Sequence, residues 1–201
     1  MLVVRLERII VQVPVSRDRL DVAGWFDRPG PLELEIGVGK GGFLLRRARK
    51  NPAGNFLGIE WANKYLRYAA DRMARWGVDN VRLLRTDARH FVTHNLSPAC
   101  LAAIHVFHPD PWPKRRHHKR RLFQPPFVAA AAEALTAGGL LYVQTDHTEY
   151  FEAIRNLLAA RPDLVPADND IEPAEAPRTN YEIKYRREGR PIYRIAVRKR
   201  G

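Results

Sequence analysis

The sequence predicts an α/β fold built on an open, mostly parallel sheet with helices on both faces. Three observations predict it. Apolar strand-like runs alternate with amphipathic helical runs from Leu32 to Thr145. The first of these strands leads straight into the glycine-rich turn Gly37-Val-Gly-Lys-Gly-Gly42 and then into a helix. Five acids, Glu35, Glu60, Asp87, Asp110 and Asp146, fall at or just past the carboxyl ends of five successive strands, and open sheets of this kind bind ligands outside those ends.

Leu2 to Val13 is rich in Val, Ile and Leu and has strand composition, although its alternation slips near Ile9 and Ile10. Pro14 to Pro31 is polar and turn-prone, so residues 1–31 read as a lead-in segment to a single domain spanning 1–201. Leu32 to Ile36 is the first firm strand. Phe43 to Lys50 follows as a helix, with Phe43, Leu44, Leu45 and Ala48 available to the core. Phe56 to Glu60 is the second strand. Asn63 is placed to cap a helix that runs to Trp76, with Tyr65, Leu66, Ala69, Ala70 and Met73 at helical spacing and Gly77 ending it. Val81 to Arg85 and Leu101 to Phe107 are the third and fourth strands. Pro125 and Pro126 open an alanine-rich helix that Gly138-Gly139 should stop. Leu140 to Thr145, a helix through Phe151, Ile154, Leu157 and Leu158, a short strand at Leu164 to Ala167 and a last strand at Ile192 to Lys199 complete the order. Thr179-Asn-Tyr-Glu182 has the form of a capping box, which predicts a short helix to about Glu188.

Composition narrows the function. The chain carries 34 Lys and Arg against 22 Asp and Glu, a net charge of +12 and a pI near 10.3. That excess attracts polyanions, nucleic acid first. No apolar run reaches the ~20 residues of a membrane helix, and no basic amphipathic helix with a broad apolar face suggests a membrane surface. No signal-peptide pattern opens the sequence, and Cys100 is the only cysteine. A reducing, cytoplasmic location is expected, with no intrachain disulfide and no cysteine-rich metal site.

The glycine turn satisfies two cofactor patterns. Gly37, Gly39 and Gly42 fit dinucleotide binding; Gly37, Gly39 and Gly41 fit S-adenosyl-L-methionine (SAM). The neighbouring charge separates them. A carboxylate at Glu35 would repel a pyrophosphate but complements the ammonium and sulfonium charges of SAM. Glu60 is placed to accept from ribose hydroxyls, and Asp87 from an adenine amino group. Each acid alone reads equally well as a helix cap or a surface ion pair. Their shared place at the strand ends favours SAM.

The most distinctive stretch is Ile104 to Arg121. Pro109, Pro111 and Pro113 hold Asp110 and Trp112 between fixed φ angles. Six Lys or Arg and two His follow within eight residues. A carboxylate and an indole beside a strong positive field suit a site where a base is held and a polyanion clamped. The alternative is a proline turn followed by a solvated basic loop. His117 and His118 lack the supporting acid or Cys cluster of a metal site.

These segments resemble a known family. Glu35-Ile-Gly-Val-Gly-Lys-Gly41, Gly58-Ile-Glu60, Thr86-Asp-Ala-Arg89, Phe107 to Arg121 and Thr179-Asn-Tyr-Glu182 are similar, in order, to the tRNA (guanine-N7)-methyltransferases. The resemblance implies the Rossmann-like class I methyltransferase fold with a mostly parallel seven-stranded sheet. It implies methyl transfer from SAM to N7 of guanine 46 in the tRNA variable loop, leaving S-adenosyl-L-homocysteine and 7-methylguanosine. It places Glu35, Gly37, Gly39, Glu60, Asp87, Ala88 and Asp110 around the cofactor, with Asp110 also at the catalytic centre. Lys114, Asp146, Thr179, Asn180, Tyr181 and Glu182 would meet the substrate. The partner implied is tRNA, with no membrane and no metal, and the protein a monomer or homodimer. Two departures stand out: His108 lies between Phe107 and Pro109, and the segment before Leu32 lacks a basic arm. Two other readings fit the residues less well. One is a methylator of exocyclic amines, which Asp110-Pro-Trp112 echoes. The other is a non-catalytic RNA-binding module.

Overall fold

The computed structural model describes residues 6–13, 15–167 and 188–201. Eight strands form one sheet: β1 (Ile10–Val11), β2 (Leu32–Ile36), β3 (Asn55–Ile59), β4 (Val81–Leu84), β5 (Leu101–Phe107), β6 (Leu135–Thr145), β7 (Leu164–Pro166) and β8 (Tyr193–Lys199). Their spatial order is β1-β4-β3-β2-β5-β6-β8-β7. Every pairing is parallel except those of β8 with β6 and with β7. Strand order reverses between β2 and β5, and that reversal opens the crevice above their carboxyl ends.

The helices are α1 (Leu6–Ile9), α2 (Gly42–Lys50), α3 (Asn63–Arg75), α4 (Ala88–His90), α5 (Pro125–Ala134) and α6 (Thr148–Ala159). They divide the core between the two faces of the sheet. On one face α2 and α3 bury Leu44, Leu45, Ala48, Leu66, Ala69, Ala70 and Met73 against Phe56, Val81 and Leu83. On the other, α5 and α6 bury Phe127, Val128, Tyr150, Ile154 and Leu158 against Leu34, Ile104, Val106 and Leu141. Gly58 lies where the first layer is tightest: a Cβ there would meet Val38, Leu83 and Leu44 at 2.6, 2.7 and 2.9 Å.

Four sequence expectations need correction. The sheet has eight strands rather than seven, because Ile10–Val11 pairs in parallel with Leu83 and Leu84. The segment before it is not strand throughout: Leu6–Ile9 forms one helical turn, and the slip in alternation at Ile9 and Ile10 marks the change from helix to strand. Asn63 is the first helical residue and not the cap; Ala62 holds the cap position, where its methyl side chain offers no acceptor, and its own N–H donates to Glu60 Oε1 at 2.8 Å. The alanine-rich helix stops at Ala134, before Gly138-Gly139. Leu135 is already extended, and Gly138, at φ +76°, lies inside β6 where the pairing with β5 is irregular.

The lead-in segment is built into the core. Val22 and Phe26 are buried, and the buried Arg82 on β4 donates to the Trp25 carbonyl at 2.8 Å with its guanidinium 5.0 Å over the Phe26 ring. Asn95 donates to the Ser16 and Asp18 carbonyls at 3.1 and 2.8 Å. The basic stretch after the prolines, read as a loop, contains a 3-10 helix over Arg115–Arg120.

Candidate active site at the strand ends

A cavity of about 1060 Å³ opens above the carboxyl ends of β2, β3, β4 and β5. Its base is the glycine turn. Gly37, Gly39 and Gly41 have φ of +82°, +53° and +70°, which side-chain-bearing residues rarely adopt. A Cβ at Gly37 or Gly39 would touch nothing within 4 Å, so it is the backbone conformation rather than crowding that requires glycine there. The Gly37 and Val38 amides donate to the Ile59 carbonyl at 2.8 and 3.2 Å, which ties the turn to the end of β3.

The acids that line the cavity have distinct surroundings. Glu35 is 2% exposed. Burial pushes its carboxyl well above the usual range and the nearby Glu60 charge adds to this, against smaller effects of Arg46 and the Leu44 amide. Its Oε2 is buried with no hydrogen-bond partner among the described residues. A buried orphan carboxyl oxygen is costly unless a donor or cation arrives. Glu60 is already engaged: Oε2 accepts from the Gly39 amide and Oε1 from the Ala62 amide, both at 2.8 Å. Each oxygen keeps a further lone pair for a ligand hydroxyl. Asp87 caps α4 by accepting from the His90 amide at 2.8 Å, and Ala88 follows it on the cavity wall.

The proline loop forms the wall after β5. His108 and Trp112 have φ of +50° and +42°, so two left-handed residues bracket Pro109 to Pro111. The His108 amide donates to the Gln144 carbonyl at 2.6 Å, its Nε2 lies 2.9 Å from Gln144 Nε2, and its Nδ1 lies 3.5 Å from Asp146 Oδ1. The other end of the loop is pinned by Arg121, whose guanidinium is 4% exposed. Arg121 Nε donates to the Pro111 carbonyl at 2.8 Å, its Nη atoms hold the Glu149 carboxylate, and it lies 4.7 Å over the Tyr150 ring. The loop is therefore fixed to β6 and α6 while Asp110 stays exposed at the cavity rim. Trp112 is half-buried, with the Arg120 guanidinium 5.1 Å over its ring and the His117 ring edge-on at 5.8 Å.

All seven residues read from the sequence as cofactor-binding, Glu35, Gly37, Gly39, Glu60, Asp87, Ala88 and Asp110, line this one cavity. The residues read as substrate-binding are placed differently. Lys114 is exposed and precedes the 3-10 helix, outside the cavity wall. Asp146 lies behind His108, where Arg190 Nη1 reaches it at 3.3 Å. Thr179, Asn180, Tyr181 and Glu182 lie outside the described residues. Three described cations near the carboxyl end bond within the fold. Arg194 donates to Gln144, Arg198 to the Gly138 carbonyl and Lys199 to the Ala132 carbonyl, at 3.0, 2.7 and 2.7 Å. His118, beside His117, stands 3.0 Å from Arg121 Nη2. Sequence reasoning missed Trp61, Arg89 and Leu122 as wall residues and grouped Tyr65 with Leu66, Ala69, Ala70 and Met73 at helical spacing, whereas Tyr65 is 40% exposed at the cavity. The signal for Tyr65 was its offset by one residue from the buried stripe Leu66, Ala69, Ala70 and Met73.

Comparison with known proteins agrees with this geometry. Residues 29–195 match the family described as "Putative methyltransferase". A tRNA (guanine-N(7)-)-methyltransferase of Nocardia farcinica is 45% identical over 151 residues, covering 75% of this chain and 56% of that protein. One of Rhodococcus jostii is 41% identical over 179 residues, covering 89% of this chain and 69% of that protein. The chain thus spans a little over half to about two thirds of the length of these relatives. Among solved structures, phosphoethanolamine N-methyltransferase 2 of Haemonchus contortus in complex with S-adenosyl-L-methionine superposes with a TM-score of 0.57 at 15% identity, covering 87% of this chain and 50% of that one. That likeness concerns the fold: the sheet is the Rossmann-like methyltransferase sheet. With the motifs, the cavity and the sequence relatives in agreement, the chain belongs to the tRNA (guanine-N7)-methyltransferase family.

Proposed function

We propose that the cavity binds SAM and that the protein methylates N7 of a guanine in tRNA, guanine 46 of the variable loop, to give 7-methylguanosine. The observation that carries this is Glu35: a buried carboxyl oxygen without a partner, on the wall of a cavity floored by open glycines. An ammonium group there would satisfy the oxygen and favour its ionised form. A pyrophosphate would keep the carboxyl protonated and would be repelled by its ionised form. The acids therefore favour SAM over a dinucleotide. In this reading Glu60 accepts from the ribose hydroxyls while holding the turn through Gly39, and Asp87 accepts from the adenine amino group beside Ala88.

Bound SAM supplies an electrophilic methyl group. Guanine N7 carries a lone pair and no proton, so the residues have alignment and charge to provide rather than a strong base. Asp110 is held at the rim by the His108 and Arg121 anchors. There it accepts from guanine N1–H and N2–H₂ or offsets the positive charge that the methylated imidazole ring gains. Trp112 offers a stacking face. Lys114 and the exposed Arg115, Arg116, Lys119 and Arg120 contact phosphates, and Asp146 and Thr179 to Glu182 complete the substrate side. Residues 1–201 act as one domain.

Incubation of the protein with labelled SAM and unmodified tRNA, followed by nucleoside analysis, tests the assignment. The expected product is 7-methylguanosine, absent when the variable-loop guanine is replaced. Asp110→Ala should lose most transfer while retaining SAM binding. A methylated exocyclic amine would contradict the N7 assignment, and SAM binding without transfer to any tRNA would favour a binding module.

A further inference from the structure

Among the described residues, four aromatic side chains are exposed: Trp61, Tyr65, Tyr68 and Trp76. All four belong to α3 or its flanks. Trp76, at the far end, is covered by Arg49, whose guanidinium lies 4.4 Å over the ring. Tyr65 and Tyr68, three residues apart, share one flank of the helix, away from the buried Leu66, Ala69, Ala70 and Met73, while Trp61 lies just before the helix and joins Tyr65 on the cavity wall. Trp61 is 66% exposed and, with Tyr65, lines the cavity mouth; Tyr68 is 47% exposed one turn further out.

A solvated helix face ordinarily carries polar groups, and grouped rings left in water mark an interaction surface. The charges around this flank narrow the partner. Arg85 lies 5.8 Å over the Trp61 ring and donates to the Trp61 carbonyl at 3.1 Å. Lys64 and Arg67 are exposed on the same helix. The acid near them, Asp71, is paired with Arg75 at 2.8 Å. Successive rings framed by cations form the pattern that holds unpaired nucleic acid, in which bases stack on π-faces and phosphates meet Lys and Arg.

We propose that Trp61, Tyr65 and Tyr68 form a second contact surface for the RNA substrate, one that receives an unpaired stretch of nucleotides beside the reacting base. Trp61 follows β3 and Trp112 follows β5, so the two indoles stand on either side of the glycine turn after β2. The substrate then spans the cavity mouth, with stacking on α3 at one side and the proline loop with its basic 3-10 helix at the other. The inference rests on the proposed function for the identity of the RNA.

Fluorescence anisotropy with labelled unmodified tRNA tests it, using Tyr68→Ala because Tyr68 lies off the cavity wall. Tyr68→Ala should weaken tRNA binding about fivefold to a hundredfold with the salt dependence unchanged. Tyr68→Phe should retain the affinity, since it keeps the ring. Lys64→Ala should flatten the plot of log affinity against log salt by about one unit. SAM affinity should be unchanged in all three. Binding of tRNA by Tyr68→Ala as tight as by wild type would overturn the surface and leave the proposed function standing. The same unchanged affinity with a shift in oligomeric state would assign the flank to a protein partner instead. Failure of the wild-type protein to bind tRNA would overturn both.

Discussion

Glu35 is a buried carboxyl on the wall of the proposed SAM site. Its carboxyl is held well above the ordinary value of 4.5 by burial and by Glu60. A carboxyl whose pKa is raised on folding takes up a proton as the chain folds. Its contribution is therefore most favourable below about pH 4.5 and declines as the pH rises toward the folded value. Glu35→Gln removes that penalty, so the free protein should melt at a higher temperature than wild type at pH 7 to 8. SAM affinity should fall roughly tenfold to a hundredfold, the loss expected for a charge-assisted bond to an ammonium. Calorimetric melting and SAM titration on the same samples check both halves; a variant that melts lower while binding SAM normally would contradict the role. The acids at this site were legible in the sequence because their positions at the strand ends are fixed by the pattern. Their present partners were not. That Glu60 spends both oxygens on backbone amides, or that Arg121 is an internal anchor rather than a phosphate contact, depends on tertiary approach that spacing does not encode.

Between elements, a largely buried charge network joins β2, β5 and α2. Glu33 accepts from His105 Nε2 at 2.8 Å and from Arg47 Nε and Nη2 at 2.9 Å. His105 is sandwiched among rings, parallel to Tyr142 at 5.2 Å and tilted against Phe43 at 4.8 Å. Burial pushes the Glu33 carboxyl up, but the hydrogen bonds and charges of His105 and Arg47 overcome it and bring it down to about 2. A depressed pKa gives stability that is present above the unfolded value and lost as pH falls from about 4.5 to about 2. Glu33→Gln should cost about 3–5 kcal/mol at pH 7. Its difference from wild type in urea unfolding should shrink as the pH falls toward 2. A constant difference across that range would mean that packing, not charge, holds the three elements. Elements with a regular strand pattern, such as the alternating Leu32–Ile36 and the mostly apolar Leu101–Phe107, were legible to the residue. The failures came where local signals competed. A glycine pair read as a helix stop belongs to an irregular strand, and the polar, basic composition of Arg115–Arg120 hid a 3-10 turn.

For the molecule as a whole, the net charge of +12 indicated a polyanionic partner, and the alternation of strands and helices indicated the fold. Neither says which charges are free. The described carboxyl-terminal cations are largely bonded to their own sheet and helices, whereas those of Lys114 to Arg120 stand out beside the cavity. Nor did the polar composition of the lead-in segment reveal that Val22 and Phe26 close one face of the core. The whole account turns on one atom of the substrate. It is tested most directly by measuring methyl transfer from labelled SAM to two tRNA transcripts, one ordinary and one made with 7-deazaguanosine in place of guanosine. The replacement exchanges N7 for a carbon and leaves the base-pairing edge in place. Transfer to the ordinary transcript and none to the 7-deaza transcript, with both bound equally well, is the expected result. Equal transfer to the two would place the methyl group elsewhere and contradict the account.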